Sequence, residues 1–75
     1  MRLIFLDVYG KGKRTMVAEN IASVESGFNL MYEDLKIRKP DFKSYYTNCS
    51  YLLTGDIWID FGSHTEFYIL EADKK

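Results

Sequence analysis

The chain has few of the residues from which catalytic and metal sites are built. Its 75 residues include one cysteine and one histidine, which is too few for a zinc site. The acidic residues lack the spacing of a calcium-binding loop. His64 follows Ser63 in a predicted turn, but no third group is placed to orient a nucleophile and its base. We therefore expect no enzymatic activity, no metal and no cofactor.

Long hydrophobic runs are also missing. The apolar segment after Arg2 ends at Asp7, which is too short for a secretory signal peptide. No run approaches the ~20 apolar residues of a membrane helix, and a lone cysteine does not require an oxidising compartment. We expect a cytoplasmic protein with no membrane partner. Its length is that of one domain, residues 1–75, with a core so small that a homodimer would help to stabilise it.

No basic residue occurs between Ser44 and Asp73, although the net charge of the whole chain is only −1. Five acids and seven of the twelve aromatic residues lie in that segment. An acidic and aromatic half suits a basic protein surface better than it suits phosphates. The alternative is that the aromatic side chains form the core while the acids lie in solvent.

The segment from Gly55 to Ala72 has the pattern of a β-hairpin. Strands are predicted near 56–61 and 66–72, because β-branched and aromatic residues flank the turn formers of residues 62–65. A four-residue loop predicts the opposed pairs Phe61–Glu66, Asp60–Phe67, Ile59–Tyr68, Trp58–Ile69 and Ile57–Leu70. Both faces of the second arm are largely apolar, so it is either a central strand or a strand with a contact surface on its second face.

The first part of the chain predicts another hairpin. Residues 2–9 form an apolar run typical of a strand that is covered on both faces. Gly10 and Gly12 favour a turn over residues 10–13, and residues 14–18 return as a second strand.

Two interpretations are open for residues 17–36. Apolar residues recur at helical spacing, which predicts one long amphipathic helix interrupted by Gly27, at Val17, Ile21, Val24, Phe28, Met31 and Leu35. Alternatively, the second strand ends near 19–20 and residues 21–25 continue extended. A shorter helix, near 30–37, then begins after Asn29 as its N-cap.

Residues 42–53 also fit two periods, after Lys39-Pro40 has ended the preceding element. A helical stripe would run from an Asp41 N-cap to Gly55. The residues are poor helix formers, and alternation from Tyr45 to Leu53 favours a strand that enters the main hairpin through a Thr54-Gly55 turn.

Two stretches of the chain resemble a known family. Residues 16–25, with the pattern Asn-Ile-x-x-Val-Glu, and the hairpin of residues 56–62 and 67–72 are similar to the small proteins grouped with the flagellar FlbD type, some of which are phage-borne. The resemblance implies a hairpin, a short strand and a closing hairpin, and it implies no catalytic residues. Residues 27–53 depart from that pattern as an insertion.

These patterns together predict a mostly β or α+β domain. We expect a small antiparallel sheet of four to five strands, open or barrel-like, with at most one or two short helices between residues 17 and 53. The predicted function is that of a protein-binding module, an inhibitor or accessory subunit of the kind phages encode, which covers a basic surface on a larger host or cognate protein. Aromatic anchors ringed by polar groups carry most interface energy, and the predicted binding residues are Tyr45, Tyr46, Trp58, Asp60 and Phe67.

Two alternatives belong to other functional classes. The first is a small-barrel nucleic-acid binder, ranked below a protein partner because nearby acids would repel phosphates. Its contact residues would be the basic groups of residues 11–14 and 36–43, namely Lys11, Lys13, Arg14, Lys36, Arg38, Lys39 and Lys43. The second is an oligomer that binds a small ligand.

Overall fold

The computed structural model describes residues 1–41, 47–63 and 65–73, which form a five-stranded antiparallel sheet and one helix. The elements are β1 (Arg2–Asp7), β2 (Lys13–Ala18), α1 (Val24–Arg38), β3 (Asn48–Tyr51), β4 (Ile57–Asp60) and β5 (Glu66–Glu71). The strand order is β2-β1-β5-β4-β3. The predicted mostly β or α+β class is confirmed. The sheet is open, with β2 and β3 as its edges, so it is not a barrel.

The main hairpin has the predicted register. Ile57 pairs with Leu70, Trp58 with Ile69 and Ile59 with Tyr68. Gly62 has a φ of 100°, which favours glycine, and its N–H donates to Asp60 Oδ1 at 2.8 Å. Because β1 pairs with the outer side of β5, β5 is the central strand. Its apolar residues Tyr68, Ile69 and Leu70 are buried although they alternate between the two faces of the sheet.

The first hairpin is also confirmed, although β1 ends at Asp7 and the turn spans residues 8–12 instead of 10–13. β1 pairs with β2 from Asp7–Lys13 to Leu3–Ala18, with an irregularity between Leu3 and Ile4. The connecting turn has left-handed backbone angles at Lys11 and Gly12, and Asp7 Oδ1 accepts the Gly10 N–H at 2.9 Å. Leu3, Ile4 and Phe5 of β1 are buried although they alternate between the two faces of the sheet, which agrees with the predicted burial of both faces.

The helix differs from both sequence interpretations. It does not begin at Val17, because β2 continues to Ala18 and Asn20 then takes a φ of 59°. Ile21 next exchanges two backbone hydrogen bonds with Met1, at 2.9 and 3.0 Å, so the chain does continue extended past residue 20. It does so only as far as Ser23, because residues 24 and 25 already belong to α1. Ser23 is the N-cap, and its side chain accepts the N–H of residue 26.

The predicted Asn29 cap is therefore wrong, since Asn29 lies within α1. Gly27 does not break the helix, and it is a buried residue of α1 that faces Leu70 of β5. A Cβ at that position would lie 2.7 Å from Leu70 Cδ1. The glycine that lowers helix propensity by about 1 kcal/mol lets the helix pack against the central strand.

For residues 42–53 the strand interpretation is confirmed over residues 48–51, which form β3, and the helical one is wrong there. Residues 42–46 lie outside the described part of the chain. The turn into β4 is the predicted one. Gly55 has a φ of 92° and its N–H donates to the carbonyl of residue 52 at 3.0 Å.

Helix α1 packs on one face of the sheet, which we call the covered face. Tyr68 lies at its centre, with its ring centroid 5.2 Å from that of Phe5 and 5.4 Å from that of Phe61. The core on this face consists of Leu3, Phe5, Ile57, Ile59, Phe61, Tyr68 and Leu70 from the sheet side, with Ile21, Met31 and Leu35 above them. Folding removes most of the surface of these residues from contact with water. This burial is the main stabilising term in a fold of this size.

Candidate functional site

The opposite face of the sheet, which we call the open face, is covered by no helix or strand of the described residues. Alternation along the strands directs to it the side chains of Ile4, Ile69, Trp58, Met16, Phe67, Arg2, Arg14, Glu71, Asp56 and Asp60. Ile4 and Ile69, at its centre, are nevertheless only 6% and 2% exposed. Side chains that the strand register places beside them on the same face can cover them.

Part of that cover is an ion-paired cluster of Arg2, Glu71 and Arg14. Arg2 Nη2 pairs with Glu71 Oε1, and Arg14 Nη2 donates to Glu71 Oε2 at 2.9 Å. In the register of the sheet Arg14 is opposite Leu6 while Glu71 is opposite Arg2, so a line from Arg14 to Glu71 crosses β1 near Ile4. The aliphatic stems of the arginines can then lie over the isoleucine while their charged ends meet the carboxylate.

The other part of the cover is aromatic. The rings of Trp58 and Phe67 have centroids 6.2 Å apart and are tilted by 50°, an arrangement favoured by aromatic pairs. Trp58 is opposite Ile69 on β5 and keeps 37% of its surface exposed. Met16 is opposite Ile4 on β2 and keeps 48% exposed. The open face therefore offers accessible apolar surface above a buried centre.

Two carboxylates flank Trp58 along its own strand. Asp56 Oδ1 accepts the backbone N–H of Ala72 at 2.9 Å, and Asp60 Oδ1 accepts that of Gly62 at 2.8 Å. These hydrogen bonds fix both side chains at the two ends of β4. Asp56 is a candidate binding residue that the sequence prediction left out, although its even spacing from Trp58 and Asp60 is a signal that could have included it.

The structure brings three of the five predicted protein-binding residues together on this face, namely Trp58, Asp60 and Phe67. Tyr45 and Tyr46 lie outside the described residues. The condition on which the prediction depended, an accessible Trp58, is met. Fewer carboxylates are available to a partner on this face than the sequence suggested. Glu71 is neutralised by two arginines, and Glu66 pairs with Lys39 on the covered side.

The basic residues predicted for nucleic-acid contact are divided by the fold. Arg14 pairs with Glu71 on the open face, Arg38 with Asp34 at 2.9 Å, and Lys39 with Glu66 at 2.5 Å. Within the described part of the chain, Lys11, Lys13 and Lys36 form no ion pair, and Lys43 lies outside it. Three of the predicted contacts are thus engaged with carboxylates, and nucleic-acid binding stays a prediction.

A hydrogen-bonded network that the sequence did not reveal joins α1 to β5. Tyr68 Oη donates to Asp34 Oδ2 at 2.6 Å, and the Arg38 guanidinium lies 4.3 Å from the ring centroid of Phe5. Burial alone would raise the pKa of Asp34, but hydrogen bonds from Arg38 and Tyr68 outweigh it and lower that pKa. Burial and the Asp34 carboxylate raise the pKa of Tyr68 well above its ordinary value. This network fixes the helix to the sheet.

The described residues contain no cluster of three or more side chains that could hold a metal ion, and His64 lies outside them. The helix of the described residues, α1, does not have the length and apolar character needed to cross a membrane.

Comparisons of the chain with protein-family models, with curated proteins and with solved structures found no match. The resemblance to the flagellar FlbD type therefore stays a prediction.

Proposed function

We propose that this chain is a non-enzymatic protein-binding module, an inhibitor or accessory subunit whose open face covers a basic surface of a larger protein. The observation that carries the proposal is the position of Trp58. It is exposed on the sheet surface, next to Phe67 and between the carboxylates of Asp56 and Asp60. We propose a phage origin by analogy with small inhibitors of this size.

An indole between two carboxylates is suited to a basic side chain. An Arg or Lys of the partner can stack on the face of Trp58, a contact of roughly 0.5–2 kcal/mol that strengthens as water is excluded. The flanking carboxylates would then supply charge-assisted hydrogen bonds. Phe67 and Met16 extend the contact with apolar surface, as aromatic residues and methionine do in protein interfaces.

The charges of the open face also suggest how the partner lies on it. Asp56 and Asp60 place negative charge along β4, whereas Arg2 and Arg14 exceed the single charge of Glu71 on the other side of β5. A basic segment of the partner would therefore lie above β4. The part of the partner that faces β1 and β2 would be neutral or acidic.

The test is capture of the partner from the native host with matched variants as bait. Trp58→Ala removes the anchor, while Tyr9→Ala is the control, because Tyr9 is 83% exposed in the β1–β2 turn. Asp56→Asn and Asp60→Asn remove charge but keep an oxygen that accepts the Ala72 or Gly62 N–H. Bound proteins are identified by mass spectrometry, and the affinity of the purified partner is then measured.

The proposal expects one protein that the wild type and Tyr9→Ala both retain and that Trp58→Ala loses. For the purified pair we expect Trp58→Ala to weaken binding by about tenfold or more. Each Asp→Asn change should weaken binding less and make it less sensitive to salt. Equal capture by all variants would contradict the proposal.

A further inference from the structure

The two edges of the sheet differ in how well they are protected against pairing with another strand. The β2 edge carries Lys13 and Arg14 and faces an irregularity in its pairing with β1, both of which discourage a new strand. The β3 edge, residues 48–51, has the sequence Asn-Cys-Ser-Tyr. It contains no charge and no proline, and its register with β4 is regular.

The backbone groups at the β3 edge can be assigned from the ladder. The N–H of Leu52 donates to the carbonyl of Asp56, on the β4 side, at 2.9 Å. In an antiparallel ladder alternate residues direct their N–H and C=O groups to opposite sides. Residues 48 and 50 therefore pair with β4, while Cys49 and Tyr51 direct their backbone groups away from the sheet.

We propose that β3 pairs with β3 of a second copy of this chain, about a two-fold axis at Cys49. Antiparallel self-pairing requires an axis perpendicular to the sheet, so the covered faces of both copies lie on one side. Cys49 is then opposite the same residue of the copy, and Thr47 is opposite Tyr51 in both directions. Each of these opposed pairs uses outward backbone groups.

Side chains support a second copy as the occupant of this edge. Tyr51 is 73% exposed, and the apolar run continues into exposed Leu52 and Leu53. Thr47 Oγ1 lies 3.1 Å from Tyr32 Oη, and the Tyr32 side chain is also exposed. Pairing in this register places Tyr51 of one copy beside Thr47 and Tyr32 of the other, which covers two exposed tyrosines on each side of the axis.

Charge does not oppose this pairing. All four residues of β3 are uncharged, and the net charge of the chain is only −1, so two copies repel each other weakly. A core of this size also benefits from surface buried between copies. The open face is not used, so each copy would keep its proposed protein-binding surface, and failure of one proposal does not imply failure of the other.

Two experiments on the full chain test the pairing. Sedimentation velocity over a concentration series compares the wild type with Tyr51→Lys, which places a charge at the edge, and with Tyr9→Lys as a matched exposed-tyrosine control. In the wild type, amide hydrogen exchange of Cys49 and Tyr51 is compared between low and high protein concentration, because their N–H groups would become hydrogen-bonded in the dimer.

We expect a dimer for the wild type and Tyr9→Lys, with dissociation constants at least about tenfold lower than that of Tyr51→Lys. Exchange at Cys49 and Tyr51 should slow by about tenfold or more as the dimer forms. A wild type that is monomeric at every concentration overturns the proposal. So does a dimer that Tyr51→Lys leaves intact, or one in which Cys49 and Tyr51 exchange freely.

Discussion

The two faces of the sheet bury their apolar side chains by different means. On the covered face, helix α1 supplies Met31 and Leu35 as a second layer over Tyr68 and Leu70. On the open face, Ile4 and Ile69 are buried with no described helix above them, and the Arg14–Glu71 ion pair and the Trp58–Phe67 ring pair lie on the same face. The core residues of the covered face are at most 7% exposed, whereas Trp58 on the open face keeps 37% of its surface accessible.

This difference suggests a division of roles. The covered face carries the stability of the domain, because complete burial gives the largest hydrophobic contribution. The open face retains Trp58 and Met16 at partial exposure, in reach of another molecule. Substitutions on the first face should therefore have the larger effect on unfolding, and those of the exposed residues on the second should have the larger effect on binding.

The largest effect is expected from two neighbours on β4 that point to opposite faces. Ile59 is completely buried on the covered face, so Ile59→Ala should lower the free energy of unfolding by about 2–5 kcal/mol. Trp58→Ala should cost less, because Trp58 already keeps 37% of its surface exposed in the folded state. Urea denaturation measures both. Equal losses would mean that the faces do not differ as described.

Gly27 tests how closely the helix must approach the covered face. Gly27→Leu should lower the free energy of unfolding by about 1–3 kcal/mol, because its side chain would overlap Leu70. Gly27→Ala should cost less, since the gain in helix propensity, about 1 kcal/mol, offsets part of the clash. Asn29→Leu, on an exposed part of the same helix, is the control. A neutral Gly27→Leu would disprove the tight contact.

Glu71 tests the cover of the open face. Glu71→Gln keeps the shape of the side chain but removes the charge shared by Arg2 and Arg14. We expect a loss of about 1–2 kcal/mol, which is small for a carboxylate of this burial because both arginines are partly in solvent. Glu33→Gln, at an exposed helix position, should have no measurable effect. If the two variants unfold alike, the cluster does not stabilise the face.

The smallest effect concerns pH. Because the folded-state pKa of Asp34 is lowered, its ionised form stabilises the fold fully above the ordinary value of 3.8. That contribution is lost as pH falls through the lower, folded-state pKa. Asp34→Asn should therefore be less stable than the wild type at neutral pH, and the difference should shrink in acid. Urea midpoints from pH 7 to about pH 2 measure this. A difference that is independent of pH would contradict the assignment.

Local patterns were sufficient to predict the hairpins. Alternation along 56–61 and 66–72, together with the turn formers between them, predicts the pairs Ile57–Leu70, Trp58–Ile69 and Ile59–Tyr68 that the structure has. A one-residue slip would turn every side chain to the wrong face, so the register of this segment is strongly determined by its own residues.

What the sequence could not predict depends on contacts between distant residues. Gly27 resembles a helix break until Leu70 is placed beside it. Arg14 resembles a free cation until Glu71, 57 residues away in sequence, is found to accept from it. Asp34 and Tyr68 form a hydrogen bond across 34 residues. The sequence identified the residues of the candidate site that share one strand. It overestimated the free negative charge of the site, because the basic partners of the acids are remote in sequence.

The central claim is that a protein partner binds to the open face, and the single tryptophan of the chain allows a direct test. The chain is labelled with fluorotryptophan, and its one fluorine resonance, from residue 58, is followed as the captured partner is added. We predict that this resonance shifts and that its broadening by a soluble paramagnetic probe is suppressed when the complex forms. A complex that forms while Trp58 remains as accessible as in the free protein would contradict the account.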